Sequence, residues 1–366
     1  MDKLKAILSG GGTGGHIFPA LSIANEIKER FPDAEILFVG ALGKMEMEKV
    51  PAAGYKIIGL PVIGFPRKPG IKMVKFVYML FSSLMKARKI VKDFQPDIAV
   101  GVGGYASGPT LKAAVRKGVP ALIQEQNSYA GITNKLLSKK VDKICVAYEN
   151  MERYFPKDKI ILTGNPVRKG LFSKDPDIEN ARSHFGILTG AKTILIVGGS
   201  LGARSINNAV ISNLEKIRNS NVQVIWQTGA FYFDEMSNLI ADKKPENLQL
   251  HKFLSRMDLA YAASDLVITR AGASTISELC LVGIASILVP SPNVAEDHQT
   301  KNALVLADKK AAVMIKDIEI DEKLFPMAFE LVNNEPEISQ LSENCKKMAK
   351  PNATKDIVDE IMKLIS

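Results

Sequence analysis

The chain of 366 residues is poor in cysteine. Cys145, Cys280 and Cys345 lie too far apart for metal-ligand spacing or a disulfide framework, so a reduced, cytosolic protein is expected. No apolar run is long enough to cross a bilayer, which confines any membrane role to the surface. The first apolar run, residues 4–8, is too short for a signal peptide. Acid is scarcer than base: 39 Asp and Glu against 48 Lys and Arg leave a net charge of +9. That balance suggests an acidic partner, which could be nucleic acid, an anionic membrane surface or a phosphorylated substrate. Apolar residues make up 46%, enough for two ordinary cores, and the length predicts two domains.

What the chain does have is clustered glycine. Ser9-Gly10-Gly11-Gly12-Thr13-Gly14-Gly15-His16 follows a short apolar strand and leads into a helically spaced run from Pro19. Strand, glycine loop and helix together aim backbone N–H groups and a helix dipole at an anion, by default a phosphate or pyrophosphate. Gly10, Gly12 and Gly15 fit the G-x-G-x-x-G spacing. A dinucleotide site also needs an acid near the end of the second strand. Residues 35–39 instead run into Gly40-Ala41-Leu42-Gly43, which argues against NAD. His16, just beyond the glycines, is either a helix-start residue bonded to backbone or a reacting group.

The first half alternates strand and helix, with strands expected at residues 4–8, 35–39, 56–60, 97–102, 121–124 and 143–146. This is the pattern of a doubly wound parallel α/β sheet. Gly101-Val102-Gly103-Gly104-Tyr105-Ala106-Ser107-Gly108-Pro109 is a second candidate anion cradle. Gln124-Glu125-Gln126-Asn127 ends the next strand. Ligands of such sheets sit at the carboxyl ends of strands, so three loops on one edge suggest a shared site.

Residues 71–86 are expected to form a helix. Lys72, Lys75, Ser82, Ser83 and Lys86 fall on one side at about 100° per residue. Ile71, Val74, Val77, Phe81, Leu84 and their neighbours cover roughly 220°, where a core-facing stripe needs little over 100°. With Arg67, Lys68, Arg88 and Lys89 around it, this excess suggests docking on an anionic membrane face. The alternative is a helix between two packed layers.

A polar segment follows Asn165, where a domain boundary is expected. Asp175 and Asp177 form a D-x-D, better explained by a turn and an N-cap at Asp177 than by a metal. The second half restarts the pattern: strand 193–197, then Gly198-Gly199-Ser200-Leu201-Gly202-Ala203, with Arg204 opening a helix. Strand 265–269 leads to Arg270-Ala271-Gly272-Ala273-Ser274-Thr275, whose amides would suit a diphosphate. Glu278, one turn in, could hold ribose hydroxyls or complete a capping box. Strand 286–289 ends in a loop carrying Glu296, Asp297, His298 and Gln299, groups suited to sugar hydroxyls. His184 and His251 read as ordinary structural residues. Residues 352–366 read as a helix.

These motifs occur in one order over nearly the whole chain, together with Gly164-Asn165-Pro166-Val167-Arg168 and Asn302-Ala303. As a set they closely resemble the MurG family of GT-B glycosyltransferases. The resemblance implies two Rossmann-like doubly wound domains facing across a cleft. Residues 1–165, joined by a returning helix at 351–366, would take the acceptor and associate with the membrane. Residues 166–350 would bind the donor. It implies inverting transfer of GlcNAc from UDP-GlcNAc to the 4-hydroxyl of undecaprenyl-pyrophosphoryl-MurNAc-pentapeptide in peptidoglycan synthesis. The setting would be peripheral, at the cytoplasmic face of the cell membrane, with cell-wall synthesis proteins as further partners and no nucleic acid.

Carried over by motif, Thr13, Gly14, Gly15 and Asn127 would touch the donor's sugar side, and Arg168 and Ser200 its phosphates. Ala273, Ser274 and Thr275 would cradle the diphosphate, Glu278 the ribose, Gln299 the GlcNAc hydroxyls, and the Leu254 backbone the uracil. The acceptor pyrophosphate would lie near Gly12, Gly103, Gly104, Tyr105 and Ser107. The family commonly has His where this chain has Gln124, so proton transfer would fall to His16 or Glu125. His16 is the expected base, since an imidazole with an ordinary pKa of about 6.5 suits proton abstraction at neutral pH. No cofactor or metal is expected, because Arg168 and the helix dipole at Ala273 can absorb the leaving group's charge. The open alternatives are a UDP-GlcNAc 2-epimerase, a GT-B enzyme with another lipid or natural-product acceptor, and a non-enzymatic membrane-surface module.

Overall fold

The computed structural model describes residues 3–64, 70–168, 170–171 and 176–366, without the side chains of Ile71, Lys72 and Ala295. Arg67, Lys68 and Asp175 lie outside the described residues. The chain divides into two compact units: Met1–Arg168 with Lys350–Ser366, and Lys169–Ala349.

The first unit is a seven-stranded sheet in the order β3-β2-β1-β4-β5-β6-β7, parallel throughout. Its strands are β1 (Lys5–Ser9), β2 (Glu35–Ala41), β3 (Lys56–Leu60), β4 (Ile98–Gly101), β5 (Ala121–Glu125), β6 (Lys143–Val146) and β7 (Ile160–Leu162). The helices between them are α1 (Gly14–Arg30), α2 (Glu46–Ala52), α3 (Ile71–Phe94), α4 (Ser107–Arg116) and α5 (Ile132–Leu137). Helices cover both faces, so Ile7, Leu8, Ala99 and Val100 are wholly buried and the strands read as unbroken apolar runs. The strand order reverses between β1 and β4, which is where the first two glycine loops end up together.

α1 begins at Gly14, five residues before the start expected at Pro19. Pro19 therefore sits inside the second turn, where a ring normally clashes with the carbonyl four residues back. Here that residue is Gly15.

The second unit repeats the plan with β8 (Thr193–Val197), β9 (Gln223–Gln227), β10 (Leu248–His251), β11 (Leu266–Thr269), β12 (Ala285–Leu288) and β13 (Val313–Met314). Its order is β10-β9-β8-β11-β12-β13, again parallel, with the reversal between β8 and β11. The helices are α6 (Ile178–His184), α7 (Arg204–Ser212), α8 (Leu214–Arg218), α9 (Phe233–Ile240), α10 (Met257–Ala262), α11 (Ala273–Val282), α12 (His298–Asp308), α13 (Ile320–Val332) and α14 (Glu335–Lys347). Asp177 caps α6, its side chain accepting from the Asn180 N–H at 2.9 Å. Trp226 and Phe325 anchor the core.

The last helix, α15 (Ala353–Ile365), returns to the first unit. Ile357, Val358 and Ile361 are fully buried in the core that holds α1. Arg30 ties the two helices, bonding Asp359 and, at 3.2 Å, the Lys355 carbonyl.

Candidate functional site

In the first unit the loops after β1 and β4 touch through their glycines. Gly104 has φ +83°, and a Cβ there would lie 2.4 Å from the Gly11 carbonyl oxygen. Gly103 makes room for the imidazole: a Cβ on it would be 2.9 Å from His16 Nε2. His16 is half-buried in the first turn of α1, with Nδ1 3.3 Å from Thr13 Oγ1. With Nδ1 meeting that hydroxyl, Nε2 is the ring nitrogen on the Gly103 side. Gly12, Thr13 and Gly15 are exposed beside it. Arg168 is exposed at the end of this unit, its guanidinium 5.2 Å from the centre of the Phe18 ring on α1.

Two of the expected acceptor contacts are already engaged. The Gly12 N–H donates to Glu46 Oε2 at 2.9 Å. Ser107 is fully buried, and its hydroxyl lies 2.6 Å from the Ser9 carbonyl and 2.8 Å from that of Gly103. Ser107 thus clamps one loop to the other. Tyr105, 57% exposed, is left as an accessible side chain of this loop.

Glu125 is 2% exposed. Its Oε1 accepts from the backbone and side-chain N–H of Asn127 at 3.1 and 3.3 Å. Its Oε2 accepts from Gly131 N and Asn134 Nδ2 at 3.0 and 2.9 Å. Burial pushes its carboxyl above the usual range despite these bonds. A carboxylate so enclosed braces the loop that carries Asn127. Gln124, in the place of the family's His, is wholly buried and donates to Asn165 Oδ1 at 2.9 Å.

In the second unit the loops after β8, β11 and β12 line a cavity of about 620 Å³. Gly199, Gly202, Arg204, Gly272, Thr275 and Gln299 are among its walls. Ala273, Ser274 and Thr275 form the first turn of α11, where N–H groups lack helical acceptors. Ser274 Oγ is buried there with no protein partner. Ser200 is exposed in its loop. Glu278 is half-buried and accepts from the Tyr261 hydroxyl at 3.2 Å. Gln299 Oε1 accepts from Ser291 N at 2.9 Å, holding the loop after β12.

Arg270, which opens the β11 loop motif, and Gln227, outside the motifs, brace the loops around this cavity. Arg270 donates to Asp317 at 2.5 Å, to Ser205 Oγ at 2.7 Å and to the carbonyls of Val289 and Pro290, so its charge is neutralised within the unit. Buried Gln227 takes the Leu254 N–H at 2.8 Å and donates to the Gly199 carbonyl at 3.2 Å. It links the Leu254 backbone to the glycine loop. Its position at the carboxyl end of β9 was the available signal, but that strand is not evident in the motif pattern.

A larger cavity, about 860 Å³, lies in the first unit among Lys3, Glu35, Lys56, Lys89 and Asp93. It opens by residues at the amino starts of β1, β2 and β3, away from the glycine loops.

α3 leaves its apolar arc uncovered. Val74, Val77 and Phe81 are 71%, 58% and 64% exposed, joined by Tyr78 and Met85, while Leu84 is half-buried. Ser83, Ala87, Ile90 and Val91 are the face that packs inward. The packed-layer alternative does not hold for these residues; the side chain of Ile71 lies outside the described residues.

Residues 6–146 match the glycosyltransferase family 28 N-terminal domain and residues 193–361 its C-terminal domain. The UDP-N-acetylglucosamine--N-acetylmuramyl-(pentapeptide) pyrophosphoryl-undecaprenol N-acetylglucosamine transferase of Parabacteroides distasonis is 58% identical over 365 residues, covering 100% of this chain and 99% of that protein. Among solved structures, Acinetobacter baumannii MurG aligns with TM-score 0.79 at 30% identity, covering 98% of this chain and 99% of that one. The UDP-GlcNAc 2-epimerase of Neisseria meningitidis aligns with TM-score 0.67 at 15% identity, over 99% of this chain and 100% of that one, a likeness of fold alone. Both domain models, full-length identity and the GT-B arrangement of two parallel sheets agree: the chain belongs to glycosyltransferase family 28, and within it to the MurG family.

Proposed function

We propose that the protein transfers GlcNAc from UDP-GlcNAc to the 4-hydroxyl of undecaprenyl-pyrophosphoryl-MurNAc-pentapeptide, converting lipid I to lipid II. The observation that carries this is identity of 58% over the whole chain to a transferase of that name. The epimerase reading has only a fold likeness in its favour and gives no role to the exposed face of α3.

The reaction follows from the two sites. His16 Nε2 takes the proton of the acceptor hydroxyl as its oxygen attacks the anomeric carbon. That C–O bond forms as the bond to the UDP oxygen breaks, inverting the centre. Charge then grows on the diphosphate. The amide dipoles at the start of α11, equivalent to about half a positive charge, stabilise it. This supports chemistry without a metal. Glu278, on the same helix, holds the ribose, and Gln299 reads the sugar. The first unit binds the acceptor by the β4 loop and docks on the cytoplasmic face of an anionic membrane through α3.

The direct test supplies labelled UDP-GlcNAc and a short-chain lipid-linked MurNAc-pentapeptide in the presence of EDTA. A labelled lipid-linked disaccharide is expected. UDP released without labelled lipid would leave the donor right and the acceptor wrong. Activity abolished by EDTA would overturn metal independence.

A further inference from the structure

The carboxylate missing from the end of β2 arrives from the next helix. Glu46, the first residue of α2, is 1% exposed. Its Oε1 accepts from the Ala41 N–H at 2.8 Å and its Oε2 from the Gly12 N–H at 2.9 Å. Two glycines make room for it. A Cβ on Gly11 would lie 2.1 Å from Oε1, and one on Gly40 would lie 2.6 Å from Cγ. Charge-assisted bonds to backbone N–H are about twice as strong as neutral ones, and they are what makes a buried carboxylate tolerable here.

Gly12 is thus held from inside the protein by an anion of the protein itself. The next residue, Thr13, accepts from His16 N at 3.1 Å and Ile17 N at 3.2 Å through its carbonyl, and its hydroxyl meets the imidazole. We propose that Glu46 is a positioning residue. By fixing Gly12 it sets the backbone that starts α1 at Gly14 and so places His16. It also directs the acceptor pyrophosphate to the β4 loop, because one N–H cannot serve two anions. The inference rests on His16 being the base.

The test compares Glu46→Ala, His16→Ala and the double variant in the transfer assay, with formate titrated into each. Glu46→Ala is expected to lower kcat about 10²-fold, the cost of a misplacement near 1 Å. Formate, filling the vacated carboxylate position, restores part of that loss saturably. On the His16→Ala background, Glu46→Ala adds little, because an absent base cannot be displaced further. Equal losses on both backgrounds, or no rescue in a Glu46→Ala protein that melts like the wild type, overturn the proposal. Should Glu46→Ala not fold, Glu46→Asp withdraws the carboxylate from Gly12 by one methylene, and full kcat in that variant overturns the proposal equally. The base assignment fails separately, if His16→Ala alone costs less than about 10-fold where a general base contributes 10²–10⁴.

Discussion

Glu125 and Glu46 brace different loops of the first unit, and each is a buried acid whose oxygens face N–H donors. In Glu125 the burial cost wins, so the folded protein holds its proton to higher pH than the unfolded chain does. Its contribution to stability is complete below the ordinary carboxylate range and is lost as pH rises through its raised pKa. Glu125→Gln removes that slope, because nothing titrates. It also leaves one oxygen for the N–H groups of Asn127, Gly131 and Asn134. Each donor left without an acceptor costs about 1–3 kcal/mol. Thermal denaturation across pH should show the variant less stable and without the fall in stability that the wild type shows as pH rises above the ordinary carboxylate range; parallel profiles would refute the account. The residue's place at the end of β5 was legible from the strand pattern. Its bracing role was not, because Asn134 and Gly131 reach it only through the turn into α5.

α3 separates what periodicity states from what packing decides. A 3.6-residue repeat tells which side chains share a face, and the excess apolar arc was legible that way. Whether a second layer covers the arc depends on the rest of the fold, and here it stays exposed at Val74, Val77 and Phe81. Since these side chains already face water, charging them leaves the core intact. Val77→Glu with Phe81→Glu should weaken binding to anionic vesicles by at least about 10²-fold, since inserting one such side chain contributes about 1.5–3 kcal/mol. Vesicle co-sedimentation reads this, and turnover on a short-chain soluble acceptor should persist. Unchanged sedimentation would remove α3 as the docking face.

For the whole molecule, the first unit is closed by the chain's last helix. Ile357, Val358 and Ile361 are each 0% exposed there. At about 1.5–3 kcal/mol per buried aliphatic side chain, their loss is comparable with the 5–15 kcal/mol that stabilises a typical domain. Deleting residues 353–366 should therefore strip hydrogen-exchange protection from β1 and β4 while β8 and β11 retain theirs. Retained protection in β1 would show the helix to be dispensable. By itself the sequence determined the two α/β halves, the glycine loops, and Ala273–Thr275 at a helix start, because strand period, helix period and glycine turns are local properties. Only the tertiary structure decided which groups those loops use. Glu46 meets Gly12 across 34 residues, Gln227 meets Leu254 across 27, and Asp359 meets Arg30 across 329. Such pairs leave no periodic trace, since a hydrogen bond between distant segments depends on the sheet order that brings them together.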